Sequence, residues 1–227
     1  MPYLILILLL LAVIFGPQWW VQRVLNRYNQ RPEENFPGTG GELARHLLNQ
    51  YGLDHVGVET TDKGDHYDPA ARSVRLSPDK FDGKTLTAIT VAAHEVGHAL
   101  QHHAGEPLFA WRNRLVMATL WGQRLGSFML FAAPLLVVLT RVPAIGALSF
   151  LGAFLLMGMG VLVQFVTVPV ELDASFNKAL PLLENGYLEE SQYRPARQIL
   201  RAAAWTYVAA SLAGLLNFWR WMQVLRR

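Results

Sequence analysis

Two histidines four residues apart enclose a glutamate in His94-Glu95-Val96-Gly97-His98. Residues at that spacing sit one above the other on a helix, so both imidazoles would face a single point. This is the pattern in which two histidines bind zinc and the intervening glutamate contacts its water. Histidine and glutamate on an amphipathic helix can also form an ordinary solvated face. The neighbours argue against that here. Ala92, Ala93, Val96, Ala99 and Leu100 surround the motif and predict a helix packed on most sides. Two imidazoles and a carboxylate buried there without partners would be costly.

A catalytic zinc site needs a third protein ligand and an open fourth position. His102 shares the face of His94 and His98, but at about 1.5 Å of rise per residue it lies roughly 12 Å along the helix from His94. One ion with bonds of about 2 Å does not easily join both ends of that row. The metzincin spacing also fails, because Gln101 and Ala104 stand where it wants glycine and histidine. His102 and His103 are read as groups flanking the site. Glu171 is the better third ligand: it directly follows Val168-Pro169-Val170 at the end of an uncharged run over 142–170. Ser175, one helical turn on, could orient Glu171 or a histidine. Asp173 is the runner-up ligand.

Positioning these groups requires particular elements. Residues 85–105 read as one helix that ends at Gly105, with Pro107 blocking its continuation. Residues 42–51 form a second helix, with Leu43, Leu47 and Leu48 on one face. A short strand is predicted over 55–60, and a cleaner alternation over 73–77 predicts an edge strand. Asp65-His66-Tyr67-Asp68-Pro69 between them reads as a polar turn. Pro181, Asn185-Gly186 and Pro195 are expected to break 171–201 into short helices.

Composition sets the wider frame. The 227-residue chain is 16% charged, against about 25% for an ordinary soluble domain. The deficit concentrates in 1–22, 125–140, 142–170 and 202–219, which hold no charged side chain. Spans need about 20 mostly apolar residues, so the fold class predicted is a mainly α integral membrane protein. About four transmembrane helices would carry a small α+β zincin-like domain. The expected organisation is a transmembrane anchor over 1–22 and a polar metallopeptidase domain over 23–110. Transmembrane helices two and three follow over 111–170, then a polar segment completing the zinc site over 171–201. The fourth transmembrane helix and a basic C-terminus occupy 202–227. Arginine and lysine near the span ends favour a plasma (inner) membrane, multi-pass location with the active site on the cytoplasmic side. The absence of cysteine excludes thiolate metal sites and thiol nucleophiles. No basic tract with interleaved aromatics points to nucleic acid as a partner.

The chain resembles a family at four places: Asp65-His66-Tyr67-Asp68-Pro69, Val74-Arg75-Leu76-Ser77, Ala92 to Gln101 around the histidine pair, and Pro169-Val170-Glu171-Leu172-Asp173-Ala174-Ser175. Together these look like the YugP-type neutral zinc membrane metallopeptidases, and the resemblance covers nearly the whole chain. It is more distantly similar to the HtpX and CAAX-prenyl-protease group, where an Asp commonly stands four residues after the third ligand; here that position is Ser175. The resemblance implies a gluzincin with one Zn2+ on His94, His98 and Glu171, and Glu95 as catalyst.

The function expected is a membrane-embedded endopeptidase acting on membrane or membrane-proximal proteins. Glu95 would serve as general base, and His66 and Tyr67 are candidates to stabilise the oxyanion. The strand over 74–77 could pair with an extended substrate. The lipid bilayer and a protein or peptide substrate are the expected partners, with partner proteins or a homo-oligomer also possible. The alternative is a non-catalytic zinc-binding scaffold or regulator, which would need a fourth protein ligand to close its site.

Overall fold

The computed structural model describes residues 2–30 and 36–205. Helix α1 spans Pro2–Asn29. α2 covers Gly40–Gln50, opened by a capping box in which the Thr39 side chain accepts from the Glu42 N–H and the Glu42 side chain accepts from the Thr39 N–H. Three short strands follow: β1 (Gly57–Thr60), β2 (His66–Asp68) and β3 (Ser73–Leu76). The one-turn α3 (Pro78–Phe81) leads to α4 (Leu86–His103), whose first turn is capped by Thr85 accepting from the Ala88 N–H. α5 (Pro107–Thr140) and α6 (Pro143–Leu172) pack on each other as a hairpin, and Arg141 closes the turn between them at φ 56°. A π-helix over Asp173–Ala179, α7 (Leu180–Glu184) and a helix described over 190–205 complete the chain.

α4 is the centre of the molecule. Fifteen of its residues are buried, so its surroundings decide where everything else goes. Leu43, Leu47 and Leu48 of α2 join its apolar core, as do Val74 and Leu76 of β3 and Leu183, Ile199 and Leu200 beyond the π-helix. Small residues make the close approaches possible. A Cβ on Gly97 would lie 2.7 Å from the Ala174 carbonyl oxygen, so only glycine lets the π-helix pack against the histidine motif. The end of α1 is tied to the start of α4: Thr87 Oγ1 donates to the Leu25 carbonyl at 2.9 Å and Thr85 Oγ1 to Asn29 Oδ1 at 2.7 Å.

Several expectations are corrected. The segment read as a polar turn contains strand β2, and the predicted edge strand is the central one. The sheet order is β1-β3-β2, with β3 parallel to β1 and antiparallel to β2. Burial explains the error. Ser73, Val74 and Leu76 are all buried, so the apparent alternation marks no solvent-facing edge. Pro195 does not break the last helix, and Pro181 sits in the first turn of α7, where proline is tolerated.

The four-span integral membrane fold and the multi-pass plasma-membrane location with a cytoplasmic site are also overturned. Among the described residues, no single helix is long and apolar enough to cross a membrane. One bent pair, Pro107–Met129 with Phe131–Thr140 at 44°, passes only when taken together. Lack of charge does not by itself make a straight span: α5 is bent inside the 125–140 run, between Met129 and Phe131, and the apolar helix found at the start of the 142–170 run is the short Pro143–Gly152. Most of the expected fourth span, 206–227, lies outside the described residues, as do Met1 and 31–35 of the first loop.

Candidate metal centre

His94 and His98 stand one turn apart on α4, and Glu171 ends α6, where it meets the same face of α4. The Glu171 carboxylate is fully buried, and its Oε2 lies 3.2 Å from His94 Nε2 and 3.3 Å from His98 Nε2. Both histidine rings are buried too, with centroids 4.7 Å apart. Among the described residues one group of histidine and acidic side chains could hold a metal ion, and it is His94, His98 and Glu171.

The donors fit zinc in kind and in spacing. A tetrahedral ion with bonds of about 2.0–2.1 Å has ligand–ligand edges of about 3.3 Å, which is what the two imidazole–carboxylate distances measure. Charge-assisted hydrogen bonds would be shorter, at about 2.7–2.9 Å. Each imidazole is also held from behind. Ser175 Oγ lies 3.1 Å from His94 Nδ1, and Gln101 Oε1 lies 2.9 Å from His98 Nδ1. Hydrogen bonds at Nδ1 leave Nε2 to face the metal position.

Electrostatics separates the two carboxylates. Burial pushes Glu171 up, but the His98 and His94 imidazoles set against its carboxylate outweigh it and hold the group well below the usual carboxylate range. Arg112 adds to this from α5, with Nη2 3.4 Å from Glu171 Oε1. Glu95 goes the other way. Desolvation dominates there and raises it to about 7, helped by Glu171 and Asp65, while His94 and a hydrogen bond from the Tyr67 N–H pull it down. A carboxyl group poised near neutrality suits proton transfer.

The remaining predicted residues are distributed around this centre. Tyr67, on β2, is buried, and its hydroxyl lies 2.8 Å from His102 Nδ1. His102 packs edge-on to Tyr67 and lies tilted against Phe109, which also meets His98. His66 lies on β2 as well, its Nδ1 donating to the Gly64 carbonyl at 2.8 Å. Asp173 is committed elsewhere, to Gln101, Asn177 and Lys178. Gln101 and Arg112 escaped the sequence reading. The signal for Gln101 was its place three residues after His98; for Arg112 there was none, because nothing in the order of residues brings α5 to Glu171.

A paired-histidine motif completed by a distant glutamate, with a second glutamate held near neutrality beside it, defines a His-His-Glu metallopeptidase centre. The comparisons agree with that class. Residues 3–226 match the family described as "Putative neutral zinc metallopeptidase", and the chain belongs to it. It is 33% identical over 228 residues to "Putative membrane protease YugP" of Bacillus subtilis (strain 168), covering 99% of this chain and 96% of that protein. No solved structure matches. Family and metal-binding cluster together make this chain a zinc metallopeptidase.

Proposed function

We propose that the chain is an endopeptidase that binds one zinc ion through His94, His98 and Glu171 and uses Glu95 as its general base. The observation that carries this reading is the buried Glu171 carboxylate, set 3.2 and 3.3 Å from two imidazole Nε2 atoms. A buried carboxylate needs strong partners, and three donors at these spacings are what zinc takes. Zinc bound there supplies Lewis-acid polarisation and a water acidic enough to ionise near neutral pH.

The chain's own groups do the rest. As water adds to the scissile carbonyl, Glu95 accepts its proton and then returns it to the leaving nitrogen. The Tyr67 N–H, which meets the Glu95 carboxylate, keeps that base oriented. Tyr67 is the better of the two candidates for oxyanion stabilisation. If His102 donates from Nδ1 to the phenol oxygen, the Tyr67 O–H is free for substrate. His66 gives its Nδ1 proton to Gly64, so it would have to be protonated to donate from Nε2 as well. β2 is an outer strand beside α4, which suits an extended peptide docking along it. The name of the B. subtilis relative, "Putative membrane protease YugP", directs the search for natural substrates to membrane proteins, once cleavage of a general substrate is established.

The test is zinc content and casein cleavage by purified full-length protein. Wild type is expected to hold about one zinc per chain and to cleave. Glu95→Gln should keep the metal and lose activity by about 10²-fold or more, as expected for a general base. Glu171→Ala should lose both. A wild-type protein without zinc, grown with zinc in the medium, sinks the reading.

A further inference from the structure

Gln101 is buried on α4, three residues beyond His98 and on the same face. Its carboxamide makes three hydrogen bonds, and their chemistry leaves only one arrangement. On one side lie the Val170 carbonyl at 2.9 Å and Asp173 Oδ2 at 2.8 Å. Both can only accept, so the amide nitrogen must face them. The amide oxygen then faces His98 Nδ1 at 2.9 Å, and an amide oxygen cannot donate. His98 must therefore carry a proton on Nδ1, and Nε2 is the atom that faces Glu171 and the metal position. Ser175 imposes no such choice on His94, because a hydroxyl both donates and accepts.

The two acceptors stand on either side of the third ligand in sequence. Val170 precedes Glu171 and Asp173 follows it, where α6 gives way to the π-helix and the ladder spacing changes. Asp173 is in turn held by Lys178 at 3.1 Å and by Asn177. One side chain thus touches one ligand and the backbone that carries another. We propose that Gln101 is a positioning residue of the metal centre: it sets the tautomer of His98 and fastens the Glu171 segment to α4, so that the donors are arranged before metal arrives. This rests on the zinc reading above.

Two measurements test it without recourse to activity. The first is 15N NMR of metal-free full-length protein labelled at histidine, at pH 8, with the His98 signals assigned by comparison with His98→Gln. His98 is expected to carry a proton on Nδ1, and a form protonated at Nε2 alone in the wild type overturns the proposal whatever any variant does. The second is competition for Zn2+ against a fluorescent chelator, comparing wild type with Gln101→Met, which keeps the length of the side chain and removes its hydrogen bonds. Loss of a group that orients a ligand weakens metal binding by about 10- to 100-fold. That fall is expected, together with a mixture of His98 tautomers, which a purely space-filling role would not produce. Affinity within about twofold of wild type, with the tautomer unchanged, overturns the proposal while leaving the zinc reading intact. Failure of the wild type itself to bind Zn2+ defeats the zinc reading and this proposal with it. Should Gln101→Met not fold, the wild-type tautomer still decides.

Discussion

Glu95 is a residue whose charge the fold tolerates poorly. Its carboxyl is raised from 4.5 to about 7, chiefly because its ionised form has lost its water. A carboxyl with a raised pKa in the folded state favours folding most below its unfolded pKa, and that contribution is lost as pH rises through the folded value. In metal-free protein the cost of ionised Glu95 is therefore absent below about pH 4.5 and complete above about pH 7 to 8. At 1.36 kcal/mol per pKa unit it reaches about 3 kcal/mol. Glu95→Gln keeps the carbonyl oxygen that accepts from Tyr67 and removes the charge. Metal-free Glu95→Gln is expected to be more stable than wild type by up to that amount at pH 8, with the gap closing on acidification. Denaturant midpoints at pH 5 and pH 8 check it, and a gap independent of pH would show that Glu95 is solvated. The side chain that would do the chemistry is thus one the fold would be more stable without.

At the scale of elements, the junction of α4 with the π-helix carries the site. Gly97 lies between the two histidines, and the Ala174 carbonyl occupies the space a methyl group would need. Gly97→Ala gains helix propensity worth about 1 kcal/mol but forces the π-helix away, and with it Ser175 and the Glu171 segment. Overpacking of this kind costs about 1–3 kcal/mol, so the expected net effect is a lower melting temperature with at least a tenfold loss of zinc affinity. Isothermal titration against zinc and a thermal scan measure the two effects; unchanged zinc affinity would mean that the Glu171 segment is not held by this contact. The histidine motif and its helix were legible because helical spacing alone puts 94 and 98 together. Glu171 was legible from its place after a long uncharged run. The π-helix was not, since no residue pattern announces an i−5 ladder. The central place of β3 was hidden too, because a four-residue strand with three buried residues looks like an alternating edge when the fourth is Arg75, which is salt-bridged to Asp68 at 2.7 Å.

Across the whole molecule the donors come from places far apart in the chain. His98 and Glu171 are separated by 73 positions, and the α5–α6 hairpin intervenes between them. The histidines at 94–103 keep some affinity for zinc in the unfolded chain, but Glu171 joins them only on folding, so zinc should bind the folded state far more tightly. Its binding energy then adds to folding as RT ln(1 + [Zn]/Kd), about 4 kcal/mol at a thousandfold excess over Kd. For a chain of this size each kcal/mol moves the melting temperature by about 2–4 °C, so removing the metal is expected to lower it by about 8–16 °C. The shift should return on adding zinc and scale with the logarithm of its concentration. Glu171→Ala supplies the control: lacking the donor that closes the loop between α4 and α6, it should melt at nearly the same temperature with and without zinc. A zinc-dependent shift of wild-type size in Glu171→Ala would place the stabilising metal elsewhere in the molecule. A wild type indifferent to chelation, yet shown to contain zinc, would mean that the junction of α4 and α6 is held by Gln101, Ser175 and the apolar core alone. The metal would then serve the reaction without contributing to the fold.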